Sequence, residues 1–398
     1  MTDVKGRKYS TGVIFAVAYI AYSAIYIARL NFSVASALFE AQGTLSKAQI
    51  GVIGSIFSLV YAVSKVPNGY MGDRLRSRLV IVIGLVITGV SNLLIGFMPR
   101  FWSIAIFWGL NAYGQSMLWG PMLRTFSENY SGDTFRRLIQ YLVSAVAAGG
   151  IAGILIASKC ATALGASACF FVPGIIALVM ALATRILFPD CSGRETEHDS
   201  IIASTARLFG KSEFRRIIFP AMAHGMIKDN INVWLAIYFI DTFHTDISSA
   251  AGFIFLIPAC ALAGRFLFPI FYRVLKNDFR VSMTAFFMCV IVNLLLFSGK
   301  LSIAGAVICM GADSALVSVI NSHVLSQFPA SICDKGELSF TASVMDLVTY
   351  GGAGIGSLIF GVLIGKFGYE SMFMIWSVIS LISAFIMRSF IARKNTAA

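Results

Sequence analysis

Four cations stand inside long apolar runs of this chain: Arg29, Lys65, Lys228 and Arg265. A charge at the centre of a membrane-spanning helix costs about 2.5–3.5 kcal/mol on insertion scales, so each of these residues needs an anionic partner or a watery cavity. At helical spacing Tyr22, Tyr26, Arg29, Ser33 and Ser36 share one face, a polar stripe on an otherwise apolar segment. Asp229, Asp313 and Asp346 are the candidate internal counter-ions, and a bound substrate is the other. A phosphate brings about −1.5 to −2 charge and several strong acceptor oxygens. Arginine meets such a group with a planar fork of donors, and lysine with a compact point charge. The chemistry available is therefore anion binding. The sequence shows no Ser/His/Asp arrangement, no cysteine or histidine pair at metal-ligand spacing and no Walker glycine loop. Neither enzyme activity, nor a metal, nor a cofactor is expected, and transport has to draw on a gradient or on exchange.

The elements that would position these cations are hydrophobic helices. Of 398 residues, 58% are hydrophobic and 13% charged, about half the charged share of a soluble globular chain. The short alternating segments of a β-barrel are missing, so the fold class is an all-α membrane protein in a lipid bilayer. Twelve spans are expected, at about 10–38, 49–70, 79–98, 101–125, 138–162, 167–189, 215–241, 248–272, 280–299, 302–326, 339–365 and 370–392. The first reads as an uncleaved span. The polar stretch Asp190 to Ser212 divides the spans six and six. It predicts a bundle over 1–189, a cytoplasmic linker over 190–213 with a short interfacial helix at Ile201–Phe209, and a second bundle over 214–398. The net charge of +12 calls for no nucleic acid, because the basic residues lie mostly between apolar segments. Most of the 31 Lys and Arg fall on the side of the termini, against Lys47, Arg100, Lys159, Lys300 and Lys366 on the other. The positive-inside rule then makes both termini cytoplasmic in a multi-pass cell-membrane protein, expected to be monomeric. The seven cysteines read as reduced packing residues.

Six spans plus six suggest duplicated halves. Arg29 and Lys65 are 36 residues apart and Lys228 and Arg265 are 37 apart, and Arg29-Leu30-Asn31 resembles Lys228-Asp229-Asn230. Further stripes suggest a shared cavity: Gly54, Ser58, Tyr61, Lys65 and Asn68 on span 2, His224, Lys228 and Asn232 on span 7, and Ser339, Ser343, Asp346 and Tyr350 on span 11. Asp346 reads as a fixed counter-ion or a proton carrier. Arg124 is expected to snorkel or to lock with Glu128, and Trp102, Tyr130 and Tyr369 read as interfacial anchors.

Gly69-Tyr70-Met71-Gly72-Asp73-Arg74-Leu75-Arg76-Ser77-Arg78 resembles the loop between spans 2 and 3 of the major facilitator superfamily. The resemblance implies a cytoplasmic gate in which Asp73, Arg74 and Arg78 carry the charges and Gly69 and Gly72 the close packing. Within that superfamily, Tyr26-Ile-Ala-Arg29-Leu-Asn31-Phe32, Tyr61-Ala-Val-Ser64-Lys65 and Gln115-Ser-Met117-Leu-Trp119-Gly-Pro121-Met-Leu-Arg124 resemble the organophosphate–phosphate antiporter family. So do His323-Val-Leu with Pro329, Tyr350-Gly351-Gly352 and Phe367-Gly368-Tyr369. The similarity runs the length of the chain and is strongest over residues 20–130. It implies two pseudo-symmetric six-helix bundles, with Arg29 on the substrate phosphate and Tyr26, Tyr61, Lys65 and Trp119 lining the site. The family's span 7 arginine has no counterpart, although Lys228 lies close, and Ala145-Val146 stand where its span 5 histidine would be. The expectation is a secondary transporter that exchanges a small organic anion for phosphate, the anion meeting Arg29 and either Lys228 or Arg265. A proton-coupled symporter using Asp346 or Asp313 and a non-transporting sensor remain open alternatives.

Overall fold

The computed structural model describes residues 10–130, 132–191, 201–332 and 338–396. The chain forms two compact units, residues 1–35 with 63–196 and residues 36–62 with 197–398. Helices α1 (Thr11–Ala41) and α2 (Lys47–Arg74) each run from one unit into the other. The first unit continues with α3 (Ser77–Phe97), α4 (Phe101–Ser116), α5 (Trp119–Asn129), α6 (Gly132–Leu164) and α7 (Ala168–Leu187). The second holds α8 (Ile201–Gly210), α9 (Ser212–Phe243), α10 (Ile247–Ile254), α11 (Leu256–Leu275), α12 (Asp278–Phe297) and α13 (Ile303–Ser322). A π-helical turn at His323–Gln327, α14 (Phe328–Ile332), α15 (Leu338–Phe367) and α16 (Tyr369–Thr396) complete it. The predicted interfacial helix is α8.

Among the described residues, ten stretches are long and apolar enough to cross a membrane. The other two predicted spans are helical but atypical. The span at 101–125 breaks at Met117–Leu118, where the amides of both residues bond three residues back, to Gly114 and Gln115. Pro121 lies just beyond and has no N–H for the carbonyl four residues earlier. The span at 248–272, one of the ten, also has a helix break at Phe255, with Pro258 three residues on. The span at 215–241 is the single long helix α9, in which His224, Lys228, Asp229, Asn230 and Asn232 dilute the apolar character.

The two units repeat their internal packing. Span 3 packs along span 6 in the first unit (α3 on α7), as span 9 packs along span 12 in the second (α12 on α16). Glycines carry the next pair of contacts, since helices in lipid approach closely only where side chains are small. A Cβ on Gly149 of α6 would fall 2.8 Å from the Cα of Ser23 in α1; one on Gly352 of α15 would fall 2.6 Å from the Cα of Met222 in α9. Spans 1 and 5 thus pack as spans 7 and 11 do. Ser23 and Met222 are 199 positions apart, and so are Arg29 and Lys228, and Asn31 and Asn230. Their local contexts match as well, and the helix contacts place Lys228 in the register of Arg29.

Candidate anion-binding site

In the first unit α1 is held by its polar back face. Asn31 donates to Asn92 Oδ1 at 2.9 Å and to the Cys169 carbonyl at 3.1 Å, and Ser23 donates to the Ala145 carbonyl at 3.3 Å. Asn111 and Gln115 of α4 both donate to the Ala28 carbonyl, at 2.9 and 3.3 Å. These bonds fix the rotation of α1 and leave Tyr26 and Arg29 half-buried. The Arg29 guanidinium carbon lies 5.8 Å from the Tyr26 ring centroid. Tyr26 stands against Tyr22 at 5.5 Å, and Tyr22 against Trp119 at 5.3 Å. Trp119 opens α5, so the break before Pro121 brings the indole into this aromatic wall. An aromatic face next to a guanidinium attracts it through the negative face of the ring.

The second unit assembles a matching group. Lys228 Nζ lies 4.9 Å from the Tyr350 ring centroid and 3.9 Å from Asp229 Oδ2. Tyr350 packs on Tyr61 at 4.6 Å, and Tyr61 stacks on Phe57 at 6.2 Å. Tyr61, Lys228 and Tyr350, chosen from three different spans, are therefore neighbours. Asp229 is the close acid of Lys228, as expected of an internal counter-ion. Asp346 and Lys65 are half-buried on α15 and α2. Arg265 is half-buried on α11 and has no hydrogen bond or ion pair among the described residues, so the expected grouping of four cations is seen as two aromatic–basic pairs with Arg265 outside them.

Other expectations need correction. Among the described residues Asp313 makes no ion pair: it is fully buried on α13 and accepts from Asn293 Nδ2 of α12 at 3.1 Å. The pair ties the two helices together. Asp313→Asn keeps an acceptor for Asn293 and is expected to change stability by less than about 1 kcal/mol, whereas Asp313→Leu leaves one of the two amide N–H groups of Asn293 without an acceptor, the other still meeting the Cys289 carbonyl, at a cost of about 1–3 kcal/mol. Thermal unfolding in detergent reads the difference, and equal loss in both variants would contradict it. The α2 stripe is also consumed in part by packing. Gly54 abuts Ser357, and Asn68 donates to Ser116 Oγ at 2.5 Å. Tyr130 and Tyr369 are buried rather than interfacial, while Trp102 is 73% exposed as an anchor should be.

Of the gate residues, Gly69, Gly72, Asp73 and Arg74 lie outside the residues whose surroundings are described. Arg78 donates to Asp190 Oδ2 at 3.3 Å and to the Phe188 carbonyl at 3.5 Å, tying the start of α3 to the end of α7. Arg124 locks to Glu128 at 2.9 Å and reaches the Leu75 carbonyl at 3.3 Å. Beside them Cys191 is buried, its thiol pushed up to about 11 by that burial and by Glu128, so it is protonated and inert at neutral pH. Cys333, Ser339 and His198 lie outside the described side chains.

Two related sets of apolar helices, each presenting a half-buried cation against tyrosine, define a polytopic membrane protein. The chain belongs to the Major Facilitator Superfamily, whose model matches residues 14–332. It is 32% identical over 179 residues to a probable hexose phosphate transport protein of Chlamydia trachomatis, covering 44% of this chain and 39% of that one. It is 34% identical over 118 residues to the membrane sensor protein UhpC of Escherichia coli, covering 30% and 26%. The matched part thus spans about two fifths or less of these relatives. A variant of the nucleoside transporter NupG superposes over 94% of this chain and 99% of its own with a TM-score of 0.80 at 14% identity, a likeness of fold alone.

Proposed function

We propose that this protein is a secondary transporter that exchanges an organophosphate for inorganic phosphate by alternating access. The observation that carries the reading is the equivalence of Arg29 and Lys228, each at the same register of the first helix of its repeat and each beside a tyrosine. Each cation with its aromatic neighbours suits a phosphate on an organic body: a planar fork such as that of Arg29, or a point charge such as that of Lys228, meets phosphate oxygens, and an aromatic face meets a carbon skeleton. The similarity to a hexose phosphate transport protein supports the same class of substrate. Lys65 and Asp346 complete the polar lining in this reading, with both termini cytoplasmic by the excess of Lys and Arg on that side and the protein acting as a monomer in the cell membrane.

Counterflow in proteoliposomes tests it. Vesicles loaded with inorganic phosphate are expected to accumulate labelled hexose 6-phosphate or glycerol 3-phosphate, with uptake insensitive to collapse of a proton gradient. Unphosphorylated glucose and glycerol should not enter. The similarity to a membrane sensor favours one second reading, in which the purified protein binds the organophosphate and the vesicles show no flux. Uptake that collapses with the proton gradient would replace exchange by symport.

A further inference from the structure

A buried acid in the second unit stands apart from the anion site. Asp313 of α13 and Asn293 of α12 are both fully buried. The amide of Asn293 uses both of its N–H groups, one on the Cys289 carbonyl at 2.9 Å and one on Asp313 Oδ1 at 3.1 Å. Each side chain is then left with one buried oxygen that meets no donor among the described residues, Asn293 Oδ1 and Asp313 Oδ2. The ionisable side chains against Asp313 are the thiols of Cys289 on α12 and Cys309 on α13. On α9, His224 faces α13 at Val317, one turn further on, and on α11 Arg265 makes no ion pair among the described residues. An ionised carboxylate buried without a cation is far less favourable than a neutral acid that is hydrogen-bonded.

The first repeat has an amide where this acid stands. Asn92 lies 15 positions after the start of α3 at Ser77, and Asn293 lies 15 after the start of α12 at Asp278. Both amides donate at 2.9 Å to the carbonyl four residues back, that of Thr88 and that of Cys289. Asn111 lies 10 positions after the start of α4 at Phe101, and Asp313 lies 10 after the start of α13 at Ile303. Spans 3 and 4 thus carry two asparagines at the places where spans 9 and 10 carry asparagine and aspartate. A protonated carboxyl offers a donor beside an acceptor, as an amide does, whereas a carboxylate only accepts.

We propose that Asp313 binds one proton and keeps it as part of the fold, with Asp313 Oδ2 carrying the hydrogen and donating it to Asn293 Oδ1. That bond closes a ring with the N–H that Asn293 already gives to Asp313 Oδ1. One proton satisfies both stranded oxygens and leaves the contact of α12 with α13 without net charge in apolar surroundings. A proton held in this way is not handed on, so of the two acids suited to carrying one, Asp346 alone is left for that role. Infrared difference spectra of the full chain in lipid vesicles at neutral pH, with the aspartate carboxyls isotope-labelled, test the proposal. Subtracting the spectrum of Asp313→Asn from that of the parent should leave the carbonyl stretch of one protonated carboxyl, shifted in deuterium oxide. Asn293→Leu removes the acceptor of that proton and should move the band to higher frequency. Asp313→Asn has the shape, donor and acceptor of the neutral acid, so hydrogen exchange along α12 and α13 should stay as slow as in the parent. Carboxylate bands in place of the protonated carbonyl overturn the proposal. So does faster exchange in Asp313→Asn, because a neutral isostere then fails to replace the native group, and so does a band that Asn293→Leu leaves unmoved. No substrate enters these measurements, so a failed counterflow assay leaves them decisive.

Discussion

Arg29→Ala is expected to lower phosphate-driven uptake of a labelled organophosphate by at least about 100-fold, while the protein still folds. Removing a bidentate, charge-assisted contact to a phosphate costs about 3 kcal/mol, and each 1.4 kcal/mol is tenfold. Arg29→Lys keeps the charge and loses the planar fork, so it should fall between, about tenfold below the parent. The fold should survive because α1 is held by its other face, through Asn31, Ser23 and the Ala28 carbonyl. Thermal unfolding separates the two explanations of lost uptake. A binding role leaves the unfolding temperature of Arg29→Ala near that of the parent in the absence of substrate and removes the stabilisation that added organophosphate gives. Normal uptake by Arg29→Ala would end the assignment. Lys228→Ala should reproduce the defect, because it occupies the same register in the second repeat.

The candidate anion site was more legible in the sequence than the contacts around it, for a physical reason. A cation in an apolar run is conspicuous, and helical periodicity places Tyr26 beside Arg29 without any tertiary knowledge. The 36- and 37-residue spacings hinted that Lys228 answers Arg29, and two glycine contacts gave that hint its register. Tyr61 and Tyr350 are 289 positions apart, and their approach to Lys228 was inferred only from stripes and resemblance. Lys47 and Asp241, whose charged atoms lie 2.6 Å apart, carried no such sign. Each sits near a span end, where charges are common, and nothing local shows that two helix ends meet. Tyr369 read as an ordinary interfacial aromatic for the same reason, and its bond to Asp241 is purely tertiary. Asp313 misled in the opposite direction. A lone acid in an apolar span invites a cationic partner, but here an amide one helix away donates to it. The breaks at Met117–Leu118 and Phe255 follow from Pro121 and Pro258, residues plainly visible in the sequence. Their consequence, that two spans are split while Pro67, Pro173 and Pro220 stay inside continuous helices, depends on packing rather than on proline alone.

Gly225→Val should be the most damaging single substitution on α9, and its effect should reach the anion site. A Cβ at Gly225 would fall on the Thr349 carbonyl, with the Thr349 carbonyl carbon 2.7 Å away. A backbone cannot rotate aside as a long side chain can, so α9 and α15 must separate. Overpacking of this kind costs about 3 kcal/mol. Lys228 lies one turn beyond Gly225 on α9, and Tyr350 directly follows Thr349 on α15. Their 4.9 Å approach is therefore set by the very contact that the valine would open. The variant is expected to unfold at a clearly lower temperature and to bind organophosphate more weakly at temperatures where it remains folded. Gly351→Ala supplies the control on the same helix. A Cβ there meets nothing within 4 Å, and alanine in place of glycine within a helix is favourable by up to about 1 kcal/mol. That variant should be at least as stable as the parent, with binding unchanged. If the two substitutions behave alike, close helix contact at Gly225 does not position Lys228, and the pairing of cation with tyrosine must be held by something other than the glycine seam.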